Sequence, residues 1–218
     1  MKFKRQVSPS LLAADYAYLG TAAIAAESGG AGSLHLDYMD GHYVPNISFG
    51  FDLIPALKKL VNIPLIAHLM ISNTEERLED FIKLTPDYII IQEDTVKDPV
   101  RALAGIKEAG IKNGFALKPD TPLSLFYDTL HSIDYLLILG VFPGFGGQKF
   151  MEETLVKMRE AHDFRVEHNL TYDIAVDGGV NIKTAPRIIG TGANVLVAGT
   201  AIYGAPDVKK AIEEFLSL

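Results

Sequence analysis

The stretch SLHLDYMDGHYVPN, Ser33–Asn46, sets the pattern from which the fold is read. A short apolar run, Ser33–Asp37, ends in a polar, glycine-bearing turn at Asp40, Gly41 and His42. Within that run His35 and Asp37 stand two apart, so on a strand both point to one face. The same unit of apolar run, turn and longer amphipathic segment recurs along the chain. The other runs are Val7–Leu12, Ile63–Met70, Tyr88–Gln92, Gly114–Lys118, Tyr135–Gly140, Tyr172–Val176 and Asn194–Ala198. With Ser33–Asp37 they make eight. Their near-continuous hydrophobicity suits strands of a parallel sheet buried on both faces.

The segments between read as helices. Asp15–Ser28 ends in Gly29-Gly30, a helix stop, and Thr74 opens TEERLED with carboxylates in the first turn, where the helix dipole favours them. Asp98-Pro99 supplies a cap and a first-turn proline for a helix that Gly110 closes, and Thr121-Pro122 repeats that opening. Glu152–Glu167, Asn181–Ile189 and Asp207–Leu216 complete the set. Eight units of roughly 27 residues predict a closed α/β barrel, a (β/α)₈ TIM barrel spanning residues 1–218 as one catalytic domain. A doubly wound open sheet is the alternative, but its glycine fingerprint after the first strand is missing, since LLAADY follows there.

Of 218 residues, 48% are hydrophobic and 22% charged, enough for a full core. The formal net charge of −7 speaks against nucleic acid as the main partner. It leaves room for a small phosphorylated ligand held by backbone amides. The chain has no cysteine, so disulfides, thiolate metal sites and cysteine nucleophiles are excluded, and any metal must use His and carboxylate. MKFKRQVS lacks the apolar stretch of a secretory signal and no run approaches membrane-span length, so a cytoplasmic protein without a membrane partner is expected.

Active sites of such barrels lie at the C-terminal ends of the strands. There the sequence places Ser10, His35, Asp37, His68, Lys118 and Asp177. An unpaired neutral polar group inside a barrel costs about 2–7 kcal/mol, and a charge more. Each residue taken singly could be structural, but two histidines and two aspartates at one mouth need a shared partner. One divalent ion (Zn, Fe, Mn or Co) suits His35, Asp37, His68 and Asp177. PGFGGQ (Pro143–Gln148), DGGV (Asp177–Val180) and AGTA (Ala198–Ala201) follow the last three strands, where barrels often hold phosphate. PGFGGQ is long enough for a mobile lid. Metal, paired carboxylates and phosphate anchor together suit proton abstraction beside a carbonyl. One aspartate removes the proton, the ion stabilises the enediolate, and the other aspartate returns a proton from the opposite face.

SPSLLAADY (Ser8–Tyr16), LHLDYMDGHYVPN (Leu34–Asn46), AHLM (Ala67–Met70), VFPGFGGQKF (Val141–Phe150), VDGGV (Val176–Val180) and VAGTAIYG (Val197–Gly204) resemble the ribulose-phosphate 3-epimerase family. The resemblance implies an isomerase that interconverts ribulose 5-phosphate and xylulose 5-phosphate in the pentose phosphate pathway. It places metal ligands at His35, Asp37, His68 and Asp177, and acid/base residues at Asp37 and Asp177. Substrate contacts then fall on Ser10, His68, Met39 and Met70, on Gly144, Gly146, Gly147 and Gln148 of the lid, and on Gly178, Gly179, Gly199 and Thr200. A homo-oligomer is plausible for the family.

Several positions depart from the family's usual text. Gln92 and Asp94 stand where a histidine and a glutamate are common, and ALKP replaces ALNP at Lys118. Leu139, Gly140 and Phe142 replace methionine, serine and asparagine, and Ala175 replaces glutamate. Lys118 is expected as a buried cation, a sugar contact, or a stem along the mouth with its amine in water. These changes keep a six-carbon substrate such as allulose 6-phosphate open, and a phosphate-binding barrel without turnover is the reading from another class.

Overall fold

The computed structural model describes residues 3–218. Eight strands, β1 Gln6–Pro9, β2 Leu34–Met39, β3 Leu65–Met70, β4 Tyr88–Gln92, β5 Lys112–Leu117, β6 Tyr135–Leu139, β7 Asp173–Asp177 and β8 Val195–Ala198, form one parallel sheet. Its order runs β1-β8-β7-β6-β5-β4-β3-β2. A single parallel bridge, Ser10 with His35, closes β1 onto β2. The predicted (β/α)₈ TIM barrel is the architecture found.

Alternation along each strand separates two apolar layers. Ile66, Ile90, Ala116, Leu137, Leu139, Ala175, Val195 and Val197 fill the barrel interior. Leu34, Leu36, Leu65, Leu69, Ile89, Ile91, Phe115, Leu136, Ile138, Ile174, Val176 and Leu196 face outward against the helices. Tyr135 and Tyr88 pack edge to face at the bottom, 5.6 Å between centroids. Gly114 makes room there, because a Cβ would meet Ile90 Cγ1 at 2.8 Å and Tyr135 O at 3.1 Å. Near its upper end the interior turns polar, with Ser10, His35, Asp37, His68 and Gln92 all buried.

The long helices form where the caps predicted them. α1 spans Leu19–Ser28, entered by a 3₁₀ turn at Tyr16–Tyr18, and Gly30 follows it at φ +86°. α3 (Thr74–Lys83) carries Glu75 and Glu76 in its first turn. Asp98 accepts from the Arg101 N–H to start α4 (Pro99–Glu108), which Gly110 leaves at φ +78°. α6 (Thr154–Glu167) and α9 (Val208–Ser217) match their predicted spans to within two residues.

Other segments differ. After Thr121-Pro122 comes a 3₁₀ turn at Leu123–Phe126 and then one turn, α5 (Tyr127–Leu130), because the next strand begins only five residues later. α7 (Ala185–Gly190) starts after Asn181 and Thr184 have used their side chains to build a loop around Gly179 O. Strand one is shorter than Val7–Leu12, turning into a 3₁₀ segment at Leu11–Ala13. α2 (Leu53–Leu57) and α8 (Thr200–Tyr203) are too brief to show a helical period. Among the described residues no helix is long and apolar enough to cross a membrane.

One charged side chain braces the lower end. Arg165 of α6, only 1% exposed, donates to Tyr172 O at 2.9 Å, Asn194 Oδ1 at 3.1 Å and Gly192 O at 3.0 Å. Its guanidinium also lies 3.5 Å from the Phe3 ring centroid. One fork thus joins α6 to the entrances of β7 and β8 and to the N-terminal strap. Arg165→Met keeps the stem but removes the donor from Tyr172 O, Gly192 O and Asn194 Oδ1, of which the last still accepts from the Ile174 N–H. A loss of about 3 kcal/mol is therefore expected in urea unfolding. A loss below about 0.5 kcal/mol would show that water replaces the guanidinium without cost.

Candidate active site and metal centre

Three strands deliver the candidate metal-ligand set to one point. His35 and Asp37 come from β2, His68 from β3 and Asp177 from the end of β7. Their ligand atoms all lie within 4.8 Å of one another. His35 Nε2 is 3.2 Å from Asp37 Oδ1 and 3.8 Å from Asp177 Oδ2. His68 Nδ1 is 3.1 Å from Asp37 Oδ1 and 3.2 Å from His35 Nε2. The second oxygen of Asp37 accepts from Ser10 Oγ at 2.5 Å. Both histidines are wholly buried, Asp37 nearly so, and the Asp177 side chain keeps 20% of its surface open.

Protonation follows from these distances. Burial pushes the Asp37 carboxyl up, but charges and hydrogen bonds from His35 and His68 outweigh it and hold the group well below the carboxylate range. For Asp177 the balance reverses, because burial and the neighbouring Asp37 charge push it up to about 7. Burial lowers His68, whereas in His35 the same cost is overcome by Asp37 and its pKa rises. Two nitrogens and two carboxylates aimed at each other, one carboxyl forced towards its neutral form, are a donor set that a divalent cation relieves. The residues fit such an ion.

Above the quartet opens a cavity of about 320 Å³. Asp37 and Asp177 line it, with Ser10, Met39, Met70, Gly144, Gly146, Gly147, Gln148, Gly178, Gly179, Gly199 and Thr200. His35 and His68 lie outside that lining, buried with the quartet. Thr200 Oγ1 lies 3.9 Å from where a Cβ on Gly146 would sit and 3.8 Å from one on Gly147, so a side chain on either glycine would touch the start of α8. Gly178 and Gly179 have φ of +98° and +69°, and a Cβ there would collide with Val141 and Phe150. The Pro143–Gln148 loop is braced from within, since Gln148 Nε2 donates to Phe142 O at 2.8 Å and to Phe145 O at 3.0 Å. Asn46 Nδ2 ties it to the β2 loop through Gly144 O at 3.1 Å.

The departures divide into two groups. Leu139 and Phe142 line the cavity, as expected of a changed pocket wall. Lys118 does not. Its Nζ pairs with Asp94 Oδ2 at 2.6 Å, and its side chain is 26% exposed, so it is neither a buried cation nor part of the cavity wall. Tyr43 Oη donates to the other oxygen of Asp94 at 2.8 Å. Sequence reasoning missed Asn46, which reaches the Pro143–Gln148 loop, and Ser48, whose hydroxyl donates to Asp37 O and accepts from the Met39 N–H. Both lie in VPNIS beyond β2, where a serine or asparagine in a loop carries no spacing signal.

Residues 6–203 match the model of the ribulose-phosphate 3 epimerase family. The chain belongs to that family. The ribulose-phosphate 3-epimerase of Bacillus subtilis (strain 168) is 42% identical over 212 residues, 96% of this chain and 97% of that protein. The chloroplastic ribulose-5-phosphate-3-epimerase of Arabidopsis thaliana is 41% identical, over 95% of this chain and 74% of its own. Membership in the epimerase family makes the chain an isomerase. A tryptophan synthase α-subunit from Pyrococcus furiosus superposes with a TM-score of 0.75 over 100% of both chains at 16% identity, a likeness of fold alone.

In this epimerase-family chain the loop beyond β2 is held by Asp40. It accepts from the N–H groups of His42 and Tyr43, both at 2.8 Å, and from Ser72 N at 2.7 Å and Ser72 Oγ at 2.8 Å. Burial pushes this carboxyl up slightly, but those donors hold it at about 2, below its ordinary 3.8. A depressed carboxylate stabilises the fold above its unfolded pKa and loses that contribution as pH falls through the folded value. Asp40→Asn is therefore expected to cost about 1 kcal/mol at pH 7, allowing for solvent screening, with the gap from wild type closing between pH 4 and pH 2. Urea unfolding across that range measures it, and a gap independent of pH would contradict the assignment.

Proposed function

We propose that this chain inverts C3 of ribulose 5-phosphate to give xylulose 5-phosphate, with Asp37 and Asp177 as the two proton carriers. The observation that carries the reading is that both carboxylates line the cavity shared with Gly146, Gly147 and Thr200 while flanking the buried histidine pair. The names of the Bacillus and Arabidopsis relatives support the same substrate. His35, Asp37, His68 and Asp177 would hold one divalent ion, Zn, Fe, Mn or Co. When bound, that ion supplies positive charge against the negative charge that develops on the substrate oxygens as the proton leaves.

The chain's own groups do the rest. Asp37, held ionised by its histidine neighbours, is suited to take the proton from C3. Asp177, pushed up to about 7, is suited to carry the proton that returns. Their roles exchange in the reverse direction. Ser10, donating to Asp37 Oδ2, orients that carboxylate. Gly146, Gly147, Gly178, Gly179, Gly199 and Thr200 take the phosphate, and Met39 and Met70 wall the reacting carbons with apolar surface. The lid from Pro143 to Gln148 closes over the sugar and excludes water.

A six-carbon substrate is the second reading, favoured by Leu139 and Phe142 at the cavity wall. Turnover of ribulose 5-phosphate and allulose 6-phosphate measured side by side separates the two. At least a tenfold higher kcat/KM for the five-carbon sugar is expected, and a preference for allulose 6-phosphate would overturn the assignment. Asp177→Asn removes one proton carrier, so epimerisation is expected to fall at least 10³-fold. More than a tenth of wild-type activity would refute the two-aspartate scheme. Dialysis against a chelator should abolish turnover, and Fe²⁺, Mn²⁺, Co²⁺ or Zn²⁺ should restore it. A barrel without turnover would hold no stoichiometric metal and regain nothing.

A further inference from the structure

Gln92 belongs to none of the roles above, yet it is fully buried at the end of β4, inside the barrel. Its Nε2 sits 2.9 Å from His68 Nε2, the ring nitrogen turned away from the ligand cluster. Its Oε1 is buried and has no hydrogen-bond partner. A buried amide kept only for packing would be expected to have its oxygen satisfied. His35 differs, since its outer nitrogen Nδ1 is buried without a partner. Of the two imidazoles, only His68 is braced from behind.

The chemistry of the ring determines what that brace does. A neutral imidazole carries one proton. With the proton on Nδ1, His68 donates to Asp37 Oδ1 and its Nε2 accepts from an amide N–H₂. With the proton on Nε2, the Nδ1 lone pair is free to ligate and Nε2–H needs an acceptor. A carboxamide serves either case, because a half-turn about its last bond exchanges oxygen and nitrogen without altering its shape. Oxygen and nitrogen then trade places, and Oε1 gains the donor it lacks. Unlike the histidine common at this position in the family, glutamine does this without carrying a charge at any pH.

We propose that Gln92 is a positioning residue for the metal centre: its amide oxygen accepts the Nε2–H of His68 and commits the Nδ1 lone pair to the ligand cluster. The inference rests on the reading that the quartet holds a metal. Ligating histidines commonly have their other ring N–H held by an acceptor, and loss of that partner typically weakens metal affinity 10–100-fold.

The test uses the full chain with Zn²⁺ as the probe, its affinity measured by chelator competition and the His68 tautomer by long-range ¹H–¹⁵N correlation spectra of the zinc-loaded protein. Wild type is expected to show the proton on Nε2. Gln92→Leu, folded by circular dichroism, is expected to bind Zn²⁺ 10–100-fold more weakly, whereas Gln92→Glu, which keeps an acceptor, stays within threefold of wild type or binds tighter. A proton on Nδ1 in the loaded wild type, a Leu variant within twofold of wild type, or a Glu variant weakened more than tenfold would overturn the proposal. If Gln92→Leu does not fold, the wild-type spectrum and the Glu variant still decide. Wild type that takes no Zn²⁺, Co²⁺ or Mn²⁺ would overturn the metal reading itself, seen before any variant is compared.

Discussion

The Asp37 carboxylate holds this structure together at its most thinly paired seam. Seven neighbouring strand pairs are joined by ladders, but β1 and β2 meet through one bridge, Ser10 with His35. At that point Asp37 Oδ2 accepts from Ser10 Oγ on the β1 side, and Oδ1 faces His35 of its own strand and His68 of β3. One side chain thus reaches three successive strands where backbone pairing is thinnest. The atoms that close the barrel are also those assigned to the chemistry.

That double use explains why the quartet tolerates burial. Inside a low-dielectric barrel two neighbouring carboxylates cannot both ionise freely, and the cost divides unequally. Asp37 has both imidazoles and a hydroxyl and keeps its charge, while Asp177, at the open rim, gathers fewer partners and is pushed towards neutrality. The two environments set the pKa values apart, as an acid and a base of one reaction need. Strand alternation positions this set: β2 and β3 turn His35, Asp37 and His68 inward, where β6 and β8 turn leucine and valine.

Much of this was legible in the sequence. The eight runs found their strands because most are apolar on both faces, and the i, i+2 spacing of His35 and Asp37 placed them together without tertiary information. The glycines of the last three loops were legible because positive φ and close approach leave few substitutes, as Gly178 and Gly179 demonstrate. What stayed hidden lacks a period or depends on partners far along the chain. α2 and α8 are a turn long, Ser48 and Asn46 act from a loop, and Lys118 left three readings open until Asp94 was found beside it. Gln92 registered as a departure, but only the distance to His68 gives it a role.

The four residues of the quartet lie on the second, third and seventh strands, and the strand that completes the ring pairs with the first. Contacts so distant along the chain form late, after the entropy of closing long loops has been overcome. During synthesis the early strands can offer His35, Asp37 and His68, but not Asp177. A chain still leaving the ribosome therefore has neither the full quartet nor the second of its two cavity carboxylates. The quartet is whole only once the seventh strand has joined the sheet, and a chain ending before β7 holds three of its four members.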